Sequence, residues 1–252
     1  MSCPIALSWF NNSGQVSDQD GRKVNGWAEF VGAAIVFLAS HALPARPGIR
    51  VRLTAALGRR TYLAIYSAVS LALLAWLILA AGRAPFVGLW LWVPQGLWIA
   101  NALMALALIL AVGGTAIANP FSLGGRADRL YDPDHPGILA LTRHPLLWAL
   151  VLWSAAHLIA NGDLAHVLLF GSLGGFSLAG IFAMEKRSRR LAGAQWAGLS
   201  RATSFVPFAA LLTGRASWAS LLQPRMALVP FVWGGIVLLH RPTIGVSPLP
   251  PF

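Results

Sequence analysis

Six histidines have the widest chemical range of any residues in this chain, because an imidazole can transfer a proton, bind a metal ion or ligate a haem iron. Three of them lie in a turn-rich loop or near the ends of apolar segments, where we expect local packing or an interfacial role: His135, His166 and His240. The other three, His41, His144 and His157, lie within or beside long apolar segments. Polar groups inside a membrane segment are costly and tend to mark function. These three histidines are therefore the candidate site residues.

Few other reactive groups accompany these histidines. The acidic residues of the apolar segments are Glu29 and Glu185, both near segment ends, and Cys3 is the only cysteine. This excludes an intrachain disulfide framework and a cysteine-ligated zinc cluster, and it argues against a carboxylate-bridged metal site. Imidazoles in an apolar bundle suit a haem, because its macrocycle prefers apolar walls and its iron accepts one or two axial histidines. Arginines that can bind the haem propionates lie in the loop over residues 44–60: Arg46, Arg50, Arg52, Arg59 and Arg60.

The composition is that of a membrane protein. Of the 252 residues, 57% are hydrophobic and 11% are charged, whereas an ordinary soluble domain is about 45–50% apolar and about 25% charged. The mean hydropathy is +0.65. These values exclude a disordered or collagen-like chain. The net charge of +11 indicates basic loops that face an anionic leaflet, and we expect a lipid bilayer and no nucleic acid as partner.

Hydropathy predicts six membrane segments, since a spanning helix needs about 17–25 mostly apolar residues. The segments cover residues 27–43, 61–81, 96–118, 144–160, 164–184 and 226–240. We therefore predict an all-α, polytopic membrane helix bundle of about six transmembrane helices. The fourth and fifth segments are separated only by Asn161-Gly162-Asp163, which predicts a tight antiparallel hairpin. The predicted domains are a polar N-terminal extension (1–26), a membrane domain (27–217) and a C-terminal sixth helix with a tail (218–252).

The distribution of basic residues predicts an orientation. With six spans, the loops 44–60, 119–143 and 185–225 lie on one side and hold 15 of the 19 Lys and Arg residues. Cytoplasmic loops carry an excess of Lys and Arg. We therefore expect a protein of the bacterial inner membrane with both termini on the non-cytoplasmic side.

Several short motifs resemble those of the NnrU family of membrane proteins. They are Ser40-His41, the run Gly-Ile-Leu-Ala-Leu-Thr-Arg-His-Pro over residues 137–145, Trp153, Ala156-His157, Asn161-Gly162, and residues 201–210 followed by Gly214-Arg215. The resemblance covers residues 30–217 in the order and with the spacing of the family. This family includes denitrification-associated bacterial members and the zeta-carotene isomerases of plants and algae.

The resemblance implies a cofactor and its ligands. Members of the isomerase branch bind haem b and isomerise a cis double bond of a carotenoid without net redox change. The axial histidines of that branch match His41 and His157, and the histidine of its Arg-His-Pro motif matches His144. One position differs, because Ser154 stands where the plant isomerases carry a cysteine. A serine is a much poorer iron ligand than a thiolate.

Predicted depth in the membrane leaves the ligand pair open. His144 and His157 are 13 residues apart, about 20 Å along a straight helix, so they cannot share one iron. The predicted depth of His41 is closer to that of His144, whereas the family resemblance pairs His41 with His157. Arg143 has two interpretations. Its guanidinium can hold a haem propionate through two parallel hydrogen bonds, or it is an interfacial arginine that extends its charge to water.

Three functions are consistent with these features. The first is a haem b protein that, like zeta-carotene isomerase, isomerises a polyene dissolved in the membrane. The second is a non-enzymatic haem-binding accessory protein for a nitrite or nitric-oxide reductase complex. The third is an S-adenosylmethionine-dependent methyltransferase, because residues 143–145, Glu185 and a following Pro-Phe are similar to the isoprenylcysteine and phospholipid methyltransferases. Those enzymes carry tyrosines where this chain has Leu147 and the stretch 191–199, which disfavours the third function.

Overall fold

The structure of the protein, a computed structural model, describes residues 19–45, 47–90, 93–123 and 130–249. Cys3, Arg46 and most of the predicted N-terminal extension lie outside the described residues. Helices dominate the rest, and the described ranges contain no strand beyond an isolated bridge between Gly88 and Asp163. The α-helices are α1 (Gln19–Ala45), α2 (Pro47–Leu57), α3 (Arg59–Arg83), α4 (Pro94–Gly114), α5 (Pro145–Ala160), α6 (Leu164–Ala192), α7 (Trp196–Ser200), α8 (Ala209–Leu212) and α9 (Leu228–Ile244).

Six apolar helices lie on the six segments that hydropathy predicts, and the expected helical membrane bundle is confirmed. Four helical stretches are long and apolar enough to cross a bilayer: Arg59–Arg83, Gln95–Gly114, Leu164–Ser200 (α6 followed by a short 3-10 turn and α7) and Pro224–Ile244 (a 3-10 turn followed by α9). The other two apolar stretches, Gly26–Ala42 and Pro145–Ala160, are shorter. A helix of 16 or 17 residues is about 25 Å long, somewhat less than the ~30 Å hydrocarbon core of a bilayer.

Several helix ends differ from the predicted segment ends. The third segment was expected to reach residue 118, but α4 ends at Gly114 because Thr115 adopts an extended conformation. The fifth was expected to end near residue 184, but α6 continues to Ala192. Its last turns are rich in Lys and Arg, which favour a helix but not a hydrocarbon environment. The helix stops at Gly193, whose φ of 50° suits a residue without a side chain.

The described chain divides into two compact units, Met1–Val87 and Gly88–Phe252. We call them the N-terminal unit and the C-terminal unit. In the N-terminal unit, α1 packs along α3. Gly26 makes this packing close, because a Cβ atom at this position would lie 2.7 Å from the carbonyl oxygen of Arg83. The α1–α3 pair positions His41 on α1.

In the C-terminal unit, α5 packs against both α4 and α6. Its core includes Leu110 of α4 and Phe121, Leu139 and Leu141 of the segment that leads to α5. The predicted hairpin is confirmed, because α5 and α6 pack together across the turn 161–163. The side chain of Asp163 caps α6 by accepting a hydrogen bond from the backbone N–H of His166. Helix α5 thus presents His144 at its N-terminal end and His157 near its C-terminal end.

Candidate functional site

His41 lies in the last part of α1, between aromatic side chains of the N-terminal unit. Its Nδ1 is 2.8 Å from the carbonyl oxygen of Phe37, one helical turn before it. Its Nε2 is 2.8 Å from the hydroxyl of Ser70 on α3. The ring centroids of Phe37 and Tyr66 lie 4.3 Å and 5.8 Å from that of the imidazole. A short polar network therefore holds His41 within apolar surroundings.

His157 lies in the last turn of α5 and has similar surroundings. Its Nδ1 is 2.8 Å from the carbonyl oxygen of Trp153, again one turn before it. The ring of Phe170 on α6 stacks on the imidazole with a centroid distance of 4.6 Å, and the ring of Trp153 lies at 4.9 Å. The side chain of Asn161 donates to the carbonyl oxygen of His157 rather than to its ring. His157 is therefore fixed by its own helix and by aromatic contacts.

The hydrogen bonds of His41 and His157 assign the same tautomer to both. A backbone carbonyl oxygen only accepts hydrogen bonds, so Nδ1 of each ring carries the proton and donates it. The lone pair is then on Nε2. Histidines that ligate metals are commonly oriented in this way, with the second ring N–H held by a carbonyl or carboxylate oxygen. At His41, the Ser70 hydroxyl donates to this Nε2 lone pair.

His144 has different surroundings. Its imidazole is fully buried, and its Nε2 lies 3.0 Å from Oε2 of Glu185 on α6. The guanidinium of Arg143 holds the same carboxylate through two bonds, with Nη2 to Oε1 at 2.7 Å and Nε to Oε2 at 3.1 Å. We call Arg143, His144 and Glu185 the ion cluster. Within the described residues, Nδ1 of His144 has no hydrogen-bond partner.

The ion cluster is enclosed by protein on several sides. Arg143 also donates from Nη1 to the carbonyl and hydroxyl oxygens of Thr203, each at 3.3 Å. Its guanidinium carbon lies 5.3 Å from the ring centroid of Trp196 and 5.9 Å from that of Phe121, within range of cation–π attraction. The side chain of Arg143 is only 8% exposed. It is therefore not an interfacial arginine that extends its charge to water.

Backbone hydrogen bonds fix the segment that carries the ion cluster. The N–H of Arg143 donates to the carbonyl oxygen of Ser204, and the N–H of Phe208 donates to that of Leu141, both at 2.9 Å. Phe208 has a φ of 67°, an uncommon conformation for a non-glycine residue. The segments 141–144 and 203–208 lie within two of the sequence motifs, 137–145 and 201–210. The structure therefore brings these distant motifs together around the carboxylate of Glu185.

A further histidine, His166, pairs with Asp163 where the turn between α5 and α6 meets the start of α6. Nδ1 of His166 lies 2.6 Å from Oδ2 of Asp163, and the His166 ring stacks on Phe170 at a centroid distance of 6.1 Å. Burial acts to raise the pKa of Asp163, yet the hydrogen bonds from the ring and backbone of His166 hold it below its ordinary value. Asp163 is therefore ionised at neutral pH. It fixes the start of α6 and the ring of His166.

The sequence-predicted site residues fall into three places. Arg143 and His144 lie together, His157 lies at the other end of α5, and His41 belongs to the N-terminal unit. Glu185, which the sequence marks as an acidic residue at a segment end and as part of the similarity to membrane methyltransferases, is the partner of both Arg143 and His144. The signal that could have found it is the cost of a carboxylate in an apolar helix, which demands a cationic partner. Among the described residues, no group of three or more His, Cys, Asp or Glu side chains could hold a metal ion.

A family model described as NnrU protein matches residues 29–248, most of the chain. The chain belongs to the NnrU family. The resemblance predicted from the sequence motifs is thus confirmed, and in this NnrU protein the match extends past the motifs through α9. Comparison with curated proteins and with solved structures finds no match. The predicted domain boundaries at residues 26 and 217 stay predictions.

Proposed function

We propose that this NnrU protein binds haem b with His41 and His157 as axial ligands and acts as a cis–trans isomerase on a membrane-dissolved polyene. One common feature carries the proposal. In both His41 and His157, Nδ1 donates a hydrogen bond to the backbone carbonyl oxygen four residues earlier. It leaves Nε2 as the metal-binding nitrogen on both histidines. The family resemblance implies the same two residues.

The residues around both histidines fit a haem. Phe37 and Tyr66 at His41, and Trp153 and Phe170 at His157, supply the apolar walls that a macrocycle prefers. When bound, haem supplies an iron centre whose electronic properties depend on the axial ligands and on their hydrogen bonds. The carbonyl oxygens of Phe37 and Trp153 orient the two rings and keep the proton on Nδ1. The Ser70 hydroxyl must turn away before Nε2 of His41 can bind a metal.

The ion cluster suits a haem less well. Nε2 of His144 is engaged by Glu185, and the fork of Arg143 is filled by the same carboxylate. A ligand role for His144, or a propionate-binding role for Arg143, therefore requires these hydrogen bonds to open. We therefore propose His41 and His157 as the haem ligands ahead of His144, and we give Arg143 no propionate contact in this proposal.

The absorption spectrum of the purified full chain, with haem supplied during expression, tests the proposal. We expect a Soret band in the wild type and its loss or displacement in His41→Ala and in His157→Ala. His166→Ala is the matched control, because its ring also stacks on Phe170 but its Nδ1 binds a carboxylate. A wild type without haem, or an unaltered band in His157→Ala, contradicts the proposal. Loss of the band in His144→Ala alone would favour the ion cluster as the ligand site.

The isomerase activity needs a separate measurement. The haem-loaded chain in lipid vesicles should convert a cis polyene to its trans isomer, followed by chromatography. His157→Ala should reduce this rate to that of empty vesicles. Haem retention without isomerisation would instead support the accessory role beside a nitrogen-oxide reductase.

The contacts among Arg143, His144 and Glu185 favour a second candidate function, that of a methyltransferase. These residues carried the similarity to the S-adenosylmethionine-dependent membrane methyltransferases. The stretch 191–199 still lacks the tyrosines of those enzymes. Calorimetric titration with S-adenosylmethionine separates the candidates, and we expect no binding. Saturable binding that Glu185→Gln abolishes would support the methyltransferase.

We also propose that the chain lies in the bacterial inner membrane with both termini on the non-cytoplasmic side. The asymmetric distribution of Lys and Arg supports this orientation. Reporter fusions after Arg60 and after Arg190 should both give a cytoplasmic signal. A non-cytoplasmic signal at either position would contradict it.

A further inference from the structure

A cavity of about 620 Å³ lies in the C-terminal unit, and none of its described lining residues belongs to α5 or to the ion cluster. It is formed by the segments 133–136, 197–202 and 215–220, which connect the apolar helices. Six of its lining residues are polar: Asp134, Ser200, Arg201, Arg215, Ser217 and Ser220. Arg201 and Arg215 belong to the sequence motif over residues 201–215, and the proposed function gives neither a role. The two arginines of this cavity are therefore available for a role outside the proposed function.

Arg215 is held in place with unused donors. Its Nη1 donates to the carbonyl oxygen of Thr203 at 3.0 Å, and its Nε donates to the hydroxyl of Thr213 at 3.1 Å. The described residues provide no hydrogen-bond acceptor for its Nη2. A guanidinium has five N–H donors in a rigid fork. Arg215 is therefore fixed by protein oxygens on one side and can bind an acceptor on the other.

Arg201 is paired on one side only. Its Nη2 donates to Oδ1 of Asp134. The side chain of Arg201 is 50% exposed and that of Asp134 is 71% exposed. No acceptor within the described residues binds its Nε or Nη1. The cavity thus combines two guanidinium groups and one carboxylate, which leaves it with a net positive charge.

We propose that this cavity binds a phosphate group, contacted by the free donors of Arg215 and Arg201 and by the hydroxyls of Ser200, Ser217 and Ser220. Phosphate oxygens are acceptors that match the geometry of the arginine fork. The volume accommodates a headgroup-sized anion, since ligand pockets commonly measure about 300–1,000 Å³. The segment 185–225, which comprises the last turns of α6 and the loop after it, also holds seven Lys and Arg residues. A positive local potential of this kind attracts anions.

The phosphate can come from two sources, an anionic phospholipid or a soluble phosphorylated molecule. Binding to the purified full chain in neutral detergent separates them, with the melting temperature as the readout. One arm adds phosphatidylglycerol, with phosphatidylcholine for comparison, and the other adds inorganic phosphate, with chloride for comparison. A ligand that binds only the folded chain raises the melting temperature with concentration.

Three variants test the assignment to this cavity. Arg215→Gln should weaken binding about tenfold, as expected for the loss of a charged hydrogen bond. Asp134→Asn should tighten binding, because it removes the competing carboxylate and leaves every contact of Arg215 in place. Arg190→Gln is the matched control, since it removes the same charge from an exposed position of α6 outside the cavity, and it should change the apparent Kd less than twofold.

The outcomes are distinct. Stabilisation by phosphatidylglycerol alone supports a lipid headgroup, and stabilisation by inorganic phosphate supports a soluble anion. The inference is overturned if neither probe stabilises the wild type, if Asp134→Asn fails to tighten binding, or if Arg190→Gln weakens binding as much as Arg215→Gln. Because none of these measurements depends on haem, they can fail while the proposed function stands, and the reverse also holds.

Discussion

The two ends of helix α5 each carry a histidine, and the surroundings of the two differ in kind. His144 lies in a buried group of charged side chains that share the carboxylate of Glu185. The ring of His157 makes one hydrogen bond within the described residues, to its own helix, and has aromatic rings around it. The imidazole of His144 is engaged in a hydrogen bond with a carboxylate that also binds an arginine, which is typical of a structural role. A histidine whose Nε2 keeps its lone pair among apolar groups is available for a ligand.

The difference teaches that the hydrogen-bond partner of an imidazole carries information that its predicted depth in the membrane does not. Depth predicts that His41 pairs with His144. The hydrogen bonds give His41 and His157 the same arrangement, in which Nδ1 faces the carbonyl oxygen four residues earlier. Substitutions at the two ends of α5 should therefore separate stability from cofactor binding.

The largest expected effect is on stability, from Glu185→Ala. Removing one partner from a buried ion pair leaves the other charge uncompensated and costs about 3–5 kcal/mol. The free energy of unfolding in mild detergent, from denaturant titration, measures this cost. Glu29→Ala is the control, because Glu29 also pairs with an arginine, Arg83, but in a pair that is much more exposed. Equal losses in the two variants would show that the ion cluster has no special structural role.

A smaller effect is expected for Arg143→Lys. Lysine keeps the charge but loses the two parallel bonds to Glu185, and a hydrogen bond between charged groups contributes about 1.5–3 kcal/mol. Arg83→Lys provides the exposed counterpart and should change stability much less. If haem retention falls in Arg143→Lys while stability is unchanged, Arg143 binds a propionate and the contrast between the two ends of α5 is wrong.

The smallest effect is expected at Ser154, three residues before His157. Its hydroxyl is buried without a hydrogen-bond partner in the described part of the chain. Ser154→Ala removes an unsatisfied polar group, so stability should stay the same or rise by up to about 1 kcal/mol. The control is Ser177→Ala, whose hydroxyl donates to the carbonyl oxygen of Leu173 at 2.8 Å, and it should lose stability. A clear loss in Ser154→Ala would indicate a missed partner for this hydroxyl.

The apolar helices could be predicted from the sequence because hydropathy is averaged over whole segments. Each predicted segment coincides with an apolar helix, and the three-residue hairpin turn is present. The ends were less predictable, as α6 shows. Its basic last turns favour a helix as strongly as an apolar sequence does, so a hydropathy boundary near residue 184 says nothing about where the helix stops. The division of the chain after Val87 left no mark in composition.

The candidate residues were predictable by type, but their partners were not. Arg143 and Glu185 are 42 positions apart, and no periodicity of the sequence connects them. Ser154 and Asn161 illustrate the same limit. Ser154 lies three residues before His157 and Asn161 four residues after it, a spacing that predicts contacts with its ring. Yet Asn161 bonds to the backbone oxygen of His157, and Ser154 does not bond to its ring. Spacing fixes which residues share a helix face, whereas side-chain rotamers decide which atoms meet.

The hydrogen bond between Ser70 and His41 has a consequence for the biogenesis of the protein. A buried lone pair without a partner would penalise any chain that reaches the membrane ahead of its cofactor. Because the Ser70 hydroxyl donates to Nε2 of His41, this nitrogen has a hydrogen-bond partner in the chain without a cofactor. Under the proposed function, cofactor loading then becomes an exchange of one partner for another. On that proposal, insertion into the membrane and haem binding would be separate steps.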